Sequence, residues 1–294
     1  MTGERWRPLS VREAGTAQAY DGPHDGVPYW MFGALWDWVA ERYPVRIATP
    51  NGPIEHPMAA GTYRRIQMAL ALNLEGSGLG TRAERMRDAL RAKAVKKPAV
   101  LLDVVDYWLG HDSEREGVAI RQLDDILKAG RSVWTVLPGS PPCLTRRVAP
   151  EARGAVIALG DTGRPSEHLS RAWRAVYGRQ PNPGEGYREA IRAVEAAAKP
   201  VVSPDNGRTT LGTIIHDMRA RPDKWEVRLK HHTPDGQVSA VVGMLDLLWS
   251  GQSGRHGDPA PDAPMDVTQE EAEAGLHLAV TLVHWFSRGV VTLT

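Results

Sequence analysis

The segment SGQSGRHGD, residues 250–258, joins two stretches in which apolar residues recur at helical spacing. The stretch before it, residues 238–249, is almost entirely apolar, and the stretch after it runs from residue 268 to about residue 288. Two consecutive helices that pack on each other hold their connector in a fixed place. This connector carries a guanidinium, an imidazole and a carboxylate, from Arg255, His256 and Asp258. It is therefore the first candidate for a chemical site.

Further helices are predicted on the amino-terminal side of this connector. In the second half of the chain they cover Ser166–Tyr177 with Ser166 as the cap, Glu185–Ala198 with an end at Pro200, and Thr210–Ala220. Residues 225–236 follow neither a helical nor a strand period, which predicts an irregular linker. The nearly all-apolar stretch 238–249 predicts the most buried helix of the bundle.

The first half of the chain is also predicted to be helical, with one exception. Its predicted helices cover residues 29–43, 62–74, 82–97 and 99–109, followed by a helix that ends at Ala129. The helix 82–97 carries seven cations, which either contact phosphates or form a solvated face. The exception lies between Ser132 and Val148, where apolar residues alternate on both sides of PGSPP (138–142). This pattern predicts a β-hairpin and the only sheet of the chain.

These patterns together predict a mainly α fold in two domains. The first, residues 1–160, is expected to be helical with a β-hairpin near 132–148, and its role is open. The second, residues 161–294, is expected to be a helical bundle.

Charge and cysteine content narrow the range of partners. The chain has 36 Lys plus Arg against 35 Asp plus Glu, a formal net charge of +1. No global basic field therefore attracts nucleic acid or membrane, and such a partner would need a local patch. Cys143 is the single cysteine, which excludes an internal disulfide framework and a multi-cysteine zinc site. Since the amino terminus lacks the apolar core of a signal peptide and no apolar run approaches the length of a membrane span, we expect a cytoplasmic protein without membrane association.

Several short motifs follow one another in the second half. They are AW at 172–173, PNP at 181–183, YREAIRAVEA at 187–196, VSP at 202–204, TLG at 210–212 and SGRHG at 253–257. Over roughly residues 160–292, this order resembles the carboxy-terminal domain of abortive-infection proteins, a HEPN-like helical bundle of bacterial phage defence. The first half resembles no family that we can name.

The resemblance implies an all-α bundle, often a homodimer, and in many HEPN relatives a metal-independent ribonuclease without a cofactor. In those relatives an arginine precedes a histidine by roughly four to six intervening residues. No histidine of this chain has an arginine at that distance before it, and Arg255 and His256 are adjacent instead.

Cleavage of RNA without metal needs a base, an acid and a cation at the phosphorane. Histidine suits the first two roles because it exchanges its proton near neutral pH. Arginine suits the third because its planar fork binds phosphate and stays charged. His256 is therefore predicted as base or acid, Arg255 as phosphate clamp, and Asp258 as the residue that orients the imidazole. A two-fold dimer would bring second copies into one cleft.

The same residues also have a structural interpretation. Arg255 could fasten the connector to carbonyls at a helix end or to Glu195, and His256 could bind a backbone carbonyl. Adjacent side chains in a turn usually point in different directions, which slightly favours the structural interpretation and leaves catalysis open.

Three other residues, Glu195, His277 and His284, are candidates for supporting roles. Glu189 and Glu195 lie on an alanine-rich helix and could pair with cations, and Glu195 is predicted to be the buried polar partner of the two. His277 and His284 are seven residues apart on one helix face. They could line a groove, or they could be hydrogen-bonded histidines of a core or interface. No spacing of ligands predicts a metal site, and no motif predicts a cofactor.

The leading hypothesis is a phage-defence protein, of abortive-infection or toxin type, whose bundle binds RNA and could act as a metal-independent endoribonuclease. The alternative, from another class, is a catalytically inactive helical module of a defence system that dimerises and contacts a phage or host protein.

Overall fold

The computed structural model describes residues 7–13, 15, 20–112, 117–139, 141–148, 163–204, 206–207, 209–229, 236–251 and 267–294. The chain divides into two compact units, Met1–Arg147 and Val148–Thr294, here called the first and second unit. The division follows the hairpin directly, whereas the sequence placed the boundary at residues 160 and 161. The mainly α fold predicted from the sequence is confirmed.

Six helices and four short strands form the described part of the first unit. They are α1 (Leu9–Glu13), α2 (Tyr29–Arg42), β1 (Arg46–Ile47), β2 (Ile54–Glu55), α3 (Ala59–Ala69), α4 (Arg82–Lys96), α5 (Ala99–His111), α6 (Gly117–Ala129), β3 (Trp134–Leu137) and β4 (Cys143–Arg146). Their buried apolar side chains form one cluster that extends from Val27 to Leu144.

Helix α5 provides the centre of that cluster because apolar residues cover most of its circumference. Its Trp108 packs edge-on against Trp38 of α2, with ring centroids 5.0 Å apart. The indole Nε1 of Trp38 donates to the carbonyl oxygen of Ala119 in α6 at 3.0 Å. A buried indole N–H needs an acceptor, so this bond fixes α2 against α6 in one orientation.

The predicted hairpin is present and lies against two helices. Strands β3 and β4 are antiparallel, with Trp134 opposite Arg146 and Leu137 opposite Cys143. The carboxylate of Asp124 in α6 accepts from the Thr135 hydroxyl at 2.6 Å and from the Val136 amide at 3.2 Å. These bonds satisfy polar groups that the packing removes from water.

The expectation of a single sheet is wrong. The described residues contain three two-stranded antiparallel sheets: β1 with β2, β3 with β4, and a third in the second unit. Two-residue strands such as β1 and β2 are too short to show an alternating pattern, so sequence analysis did not predict them.

The second unit contains five described helices and two strands. They are α7 (Arg164–Tyr177), α8 (Pro183–Val202), α9 (Leu211–Ala220), β5 (Trp225–Val227), α10 (Gly236–Ser250), α11 (Gln269–Ser287) and β6 (Val291–Leu293). Strand β5 pairs antiparallel with β6, with Val227 opposite Val291. The prediction of an irregular linker over 225–236 is therefore wrong at its start, because β5 finds its partner at the end of the chain.

Helix α8 occupies the centre of this bundle, since α7 and α11 both pack on it. The prediction that α10 is the most buried helix is wrong, because Leu247 of α10 is 69% exposed. Hydrophobicity alone could not decide this, whereas the small residues of α8 let its neighbours approach closely. The predicted end at Pro200 is also wrong, because α8 continues through Pro200 to Val202.

Capping boxes define three of the described helix starts: Thr81, Thr210 and Thr268 form them at α4, α9 and α11. The prediction that Ser166 caps α7 is wrong, because Ser166 lies inside α7 and donates its hydroxyl to the Gly163 carbonyl at 2.8 Å. Gly163, at φ 83°, takes the N-cap position instead. Among the described residues, no helix combines the length and apolarity that crossing a bilayer requires.

Candidate functional site

The predicted catalytic residues Arg255, His256 and Asp258 lie outside the described residues. Gly251 and Thr268 are described residues on either side of them. Gly251 at the end of α10 packs against the ring of Tyr187, whose hydroxyl donates to the Leu248 carbonyl at 3.0 Å. Thr268 caps α11 on the other side.

Glu195 caps a helix. Its Oε1 accepts from the amide of Leu211, the first residue of α9, at 2.7 Å. Burial raises the pKa of Glu195, and the Leu211 amide, Arg192 and His168 oppose this rise only in part. A carboxylate at a helix amino terminus also suits the helix dipole. Glu195 is half-buried, so the expectation that it is the more buried of the two glutamates is wrong.

His277 and His284 are both exposed residues of α11. The interpretation of either one as a histidine of the core is therefore wrong. The Nε2 atom of His277 lies 2.9 Å from the Tyr177 hydroxyl. Burial, with a smaller contribution from the charge of Glu273, raises the pKa of Tyr177 to about 12. The phenol therefore stays protonated at neutral pH and shares a hydrogen bond with His277 Nε2. This contact ties α7 to α11 and uses one imidazole nitrogen.

A second group of polar side chains forms where α7 meets α8. It consists of His168, Arg171, Glu189 and Arg192 and is here called the Glu189 cluster. The Glu189 side chain is only 4% exposed. Its Oε2 contacts His168 Nδ1 at 2.8 Å and Arg171 Nε at 3.0 Å, and its Oε1 accepts from Arg192 Nη1. A buried carboxylate is stable only when it is paired in this way.

The protonation state of Glu189 follows from these contacts. Burial by itself would raise the pKa of the carboxyl group. Hydrogen bonds from His168 and Arg192, with the charges of His168 and Arg171, outweigh burial and lower the pKa of Glu189 below its ordinary value. The group is therefore an ionised, acceptor-only carboxylate at neutral pH.

An ionised Glu189 also fixes the tautomer of His168. Because the carboxylate cannot donate, the 2.8 Å contact requires the proton on His168 Nδ1. The Arg171 Nη2 atom lies 3.2 Å from His168 Nδ1. It does not donate a hydrogen bond to Nδ1, because that nitrogen carries a proton. No described residue is hydrogen-bonded to Nε2 of His168, which keeps its lone pair when the ring is neutral.

The two arginines retain donors that the carboxylate does not use. Their side chains are 56% exposed at Arg171 and 53% exposed at Arg192. Each guanidinium has five N–H groups, and Glu189 takes only part of them. Arg171 also lies 4.0 Å from a carboxylate oxygen of Glu167 on its own helix. The cluster thus offers an anion two partly solvated guanidiniums beside an imidazole.

The four residues come together because two neighbouring helices each contribute a pair of side chains from one face. His168 and Arg171 are three residues apart on α7, and Glu189 and Arg192 are three residues apart on α8, so each pair shares a helix face. Sequence analysis did not identify this site. The spacing of three residues within each pair indicates that its two side chains share a helix face. Nothing in the sequence indicates that these two faces contact each other.

No group of three or more His, Cys, Asp or Glu side chains suited to a metal ion occurs within the described ranges. Comparison with protein-family models, curated proteins and solved structures finds no match for this chain. The resemblance to abortive-infection proteins therefore stays a prediction.

Proposed function

We propose that the second unit binds RNA, with phosphates of the backbone held at the Glu189 cluster. The observation that supports this proposal is a pair of half-exposed arginines, Arg171 and Arg192, anchored on one buried carboxylate. Arginines held in this way lose little side-chain freedom on binding, and their planar forks match phosphate oxygens.

The identity of the ligand and its biological setting come from the resemblance. We propose a cytoplasmic phage-defence protein of abortive-infection or toxin type, with RNA as its target. The homodimer and the roles of Arg255, His256 and Asp258 in metal-independent cleavage belong to the same proposal. The alternative, a catalytically inactive module that dimerises and contacts a protein, predicts no RNA binding at all.

Binding to fluorescent single-stranded and hairpin RNA in EDTA tests the first step. We expect Arg171→Ala and Arg192→Ala each to weaken binding about tenfold, because each removes one charge-assisted contact to phosphate. Each substitution should also reduce the slope of log Kd against log salt by about 1. Anisotropy titrations at several salt concentrations measure both quantities.

Arg219→Ala is the matched control. Arg219 is a 60% exposed arginine of α9, paired with Asp246 at 3.3 Å. It should bind RNA like the wild type. Absence of RNA binding by the wild-type protein, with self-association intact, would contradict the proposal and support the alternative. Equal losses in all three variants would show nonspecific charge attraction and would also contradict it.

A further inference from the structure

Four aromatic side chains form a cluster at the start of α2 in the first unit. They are Tyr20, His24, Tyr29 and Trp30, here called the aromatic platform. The Trp30 ring is its centre, because its centroid lies 5.0 Å from that of Tyr29, 5.3 Å from that of His24 and 5.6 Å from that of Tyr20. Tyr29 is 87% exposed and Trp30 is 38% exposed. Adjacent large aromatic side chains at a surface are typical of contact sites for other molecules.

The backbone that carries Tyr20 and His24 is held by residues that follow α6. The His24 amide donates to the Arg131 carbonyl at 2.8 Å, and the Val133 amide donates to the His24 carbonyl at 2.9 Å. The guanidinium carbon of Arg131 lies 3.9 Å from the centroid of the Tyr20 ring, and Nη1 donates to the Tyr20 carbonyl at 3.2 Å. The platform is therefore positioned before a ligand binds, which lowers the entropic cost of binding.

The charged groups beside the aromatic platform favour a ligand of little charge. Arg7 Nη2 lies 2.6 Å from Asp21 Oδ2, and Arg146 Nη2 lies 2.8 Å from Asp25 Oδ1, so each of these arginines is matched by one carboxylate. The third cation, Arg131, packs on the platform itself. A phosphate would meet guanidiniums that are already paired, and sugar hydroxyl groups would meet carboxylates that already accept hydrogen bonds. An uncharged, largely apolar ligand loses nothing through these pairings.

The two exposed rings of the platform also retain hydrogen-bonding groups. No described residue accepts a hydrogen bond from Trp30 Nε1 or shares one with the Tyr29 hydroxyl. The planes of the two rings are inclined at 81°, so an aliphatic ring placed in the corner between them contacts both. The pair therefore suits a ligand that combines compact apolar rings with hydrogen-bond acceptors.

We propose that the aromatic platform binds a proline-rich segment of a partner protein in the polyproline II conformation. This helix has no internal hydrogen bonds, so its carbonyl groups are available to the Trp30 indole N–H and the Tyr29 hydroxyl. Proline rings are uncharged and pack on aromatic side chains, and the segment loses little conformational entropy because it is extended before it binds. The inference is independent of RNA binding at the Glu189 cluster and gives the first unit a role.

The test measures the binding of dye-labelled decaproline to the full chain by fluorescence anisotropy, beside a Gly-Ser peptide of the same length. We expect decaproline to bind and the Gly-Ser peptide not to bind. Because decaproline has no charged side chain, its Kd should change little between low and high salt. The affinity for RNA, in contrast, should fall steeply as salt is raised.

Substitutions in the platform should weaken the binding of decaproline. We expect Tyr29→Ala and Trp30→Ala each to raise Kd about tenfold or more, because tyrosine and tryptophan dominate the binding energy of such contacts. Tyr29→Ala removes a side chain that lies mostly in solvent, so it should leave the midpoint of thermal unfolding unchanged. Trp30→Phe keeps an aromatic ring without the N–H donor and should have an intermediate effect. Leu79→Ala, at a fully exposed apolar residue of the same unit, is the matched control and should bind like the wild type.

Three results would overturn the inference: no binding of decaproline by the wild type, equal binding of both peptides, or equal affinity of the wild type, Tyr29→Ala and Trp30→Ala for decaproline. Binding of single-stranded RNA or an oligosaccharide that is lost in Trp30→Ala, without any binding of decaproline, would assign the platform to that ligand and would also overturn it. Arg171→Ala should bind decaproline like the wild type, since the Glu189 cluster is a separate site.

Discussion

Two glutamates of α8 show how position alone sets the chemistry of a side chain. Glu189 is enclosed by cations, and its pKa is lowered; Glu195 faces a helix terminus, and its pKa is raised by burial. The lowered pKa means that ionised Glu189 stabilises the fold above its ordinary pKa of 4.5, and that this contribution disappears as the pH falls through the folded-state pKa. For Glu195 the sign is reversed, because ionisation is disfavoured in the folded state, and stability is lost as the pH rises through the raised value.

Glutamine substitutions should therefore have opposite effects on the pH dependence of unfolding. At neutral pH we expect Glu189→Gln to lower the free energy of unfolding by about 1–3 kcal/mol, because charge-assisted bonds to a buried group are lost. That difference should shrink as the pH falls below the ordinary carboxyl pKa of 4.5 and through the lowered pKa of Glu189. Glu195→Gln keeps an oxygen for the Leu211 amide and should lose little at neutral pH. Urea denaturation across the pH range measures both, and parallel curves for the two variants would contradict the assignment.

At the scale of elements, close helix packing around α8 depends on glycines that face Tyr187. A Cβ atom at Gly275 of α11 would lie 2.5 Å from Cε2 of Tyr187. The glycine therefore lets α11 approach α8, and the Tyr187 hydroxyl in turn bonds to the Leu248 carbonyl at the end of α10. One tyrosine thus connects three helices beside Gly251.

Gly275→Ala should destabilise the second unit by about 1–3 kcal/mol, because the added methyl group overpacks the contact with Tyr187. This outcome opposes helix propensity, by which alanine is better than glycine by about 1 kcal/mol. Gly243→Ala in α10 is the matched control, since no atom lies within 4 Å of its added Cβ. It should stabilise the protein slightly. The midpoint of thermal unfolding of both variants measures these changes. A Gly275→Ala variant more stable than the wild type would show that the contact with Tyr187 is not tight.

At the scale of the whole molecule, the chain consists of two units that each have a buried core. In the first unit the core is built around α5, and in the second it is built around α8. The capped helices and the local hairpin make most contacts within short stretches of sequence, which favours folding of each unit by itself.

We expect fragments Met1–Arg147 and Val148–Thr294 each to show helical circular dichroism and cooperative thermal unfolding. The second fragment should keep the RNA affinity of the full chain if the Glu189 cluster is the binding site. Titration of both fragments with the same RNA measures this. RNA binding by the first fragment alone would contradict this assignment and indicate a site on the basic helix α4.

The sequence by itself determined the mainly α fold, most helix positions and the hairpin. Helical periodicity and the proline-glycine turn are local signals, and local signals can be recognised in a single sequence. The short strands β1, β2, β5 and β6 were missed because they depend on partners that a short pattern cannot indicate.

Only the tertiary structure decided which polar residues meet. His168 and Arg171 lie on one helix, Glu189 and Arg192 on the next, and their spacing fixes a face on each helix but not the pairing of faces. The burial of Glu189, the tautomer of His168 and the anchoring of both arginines arise only when α7 packs on α8. Side-chain chemistry at this site depends on distance in space, which sequence separation does not determine.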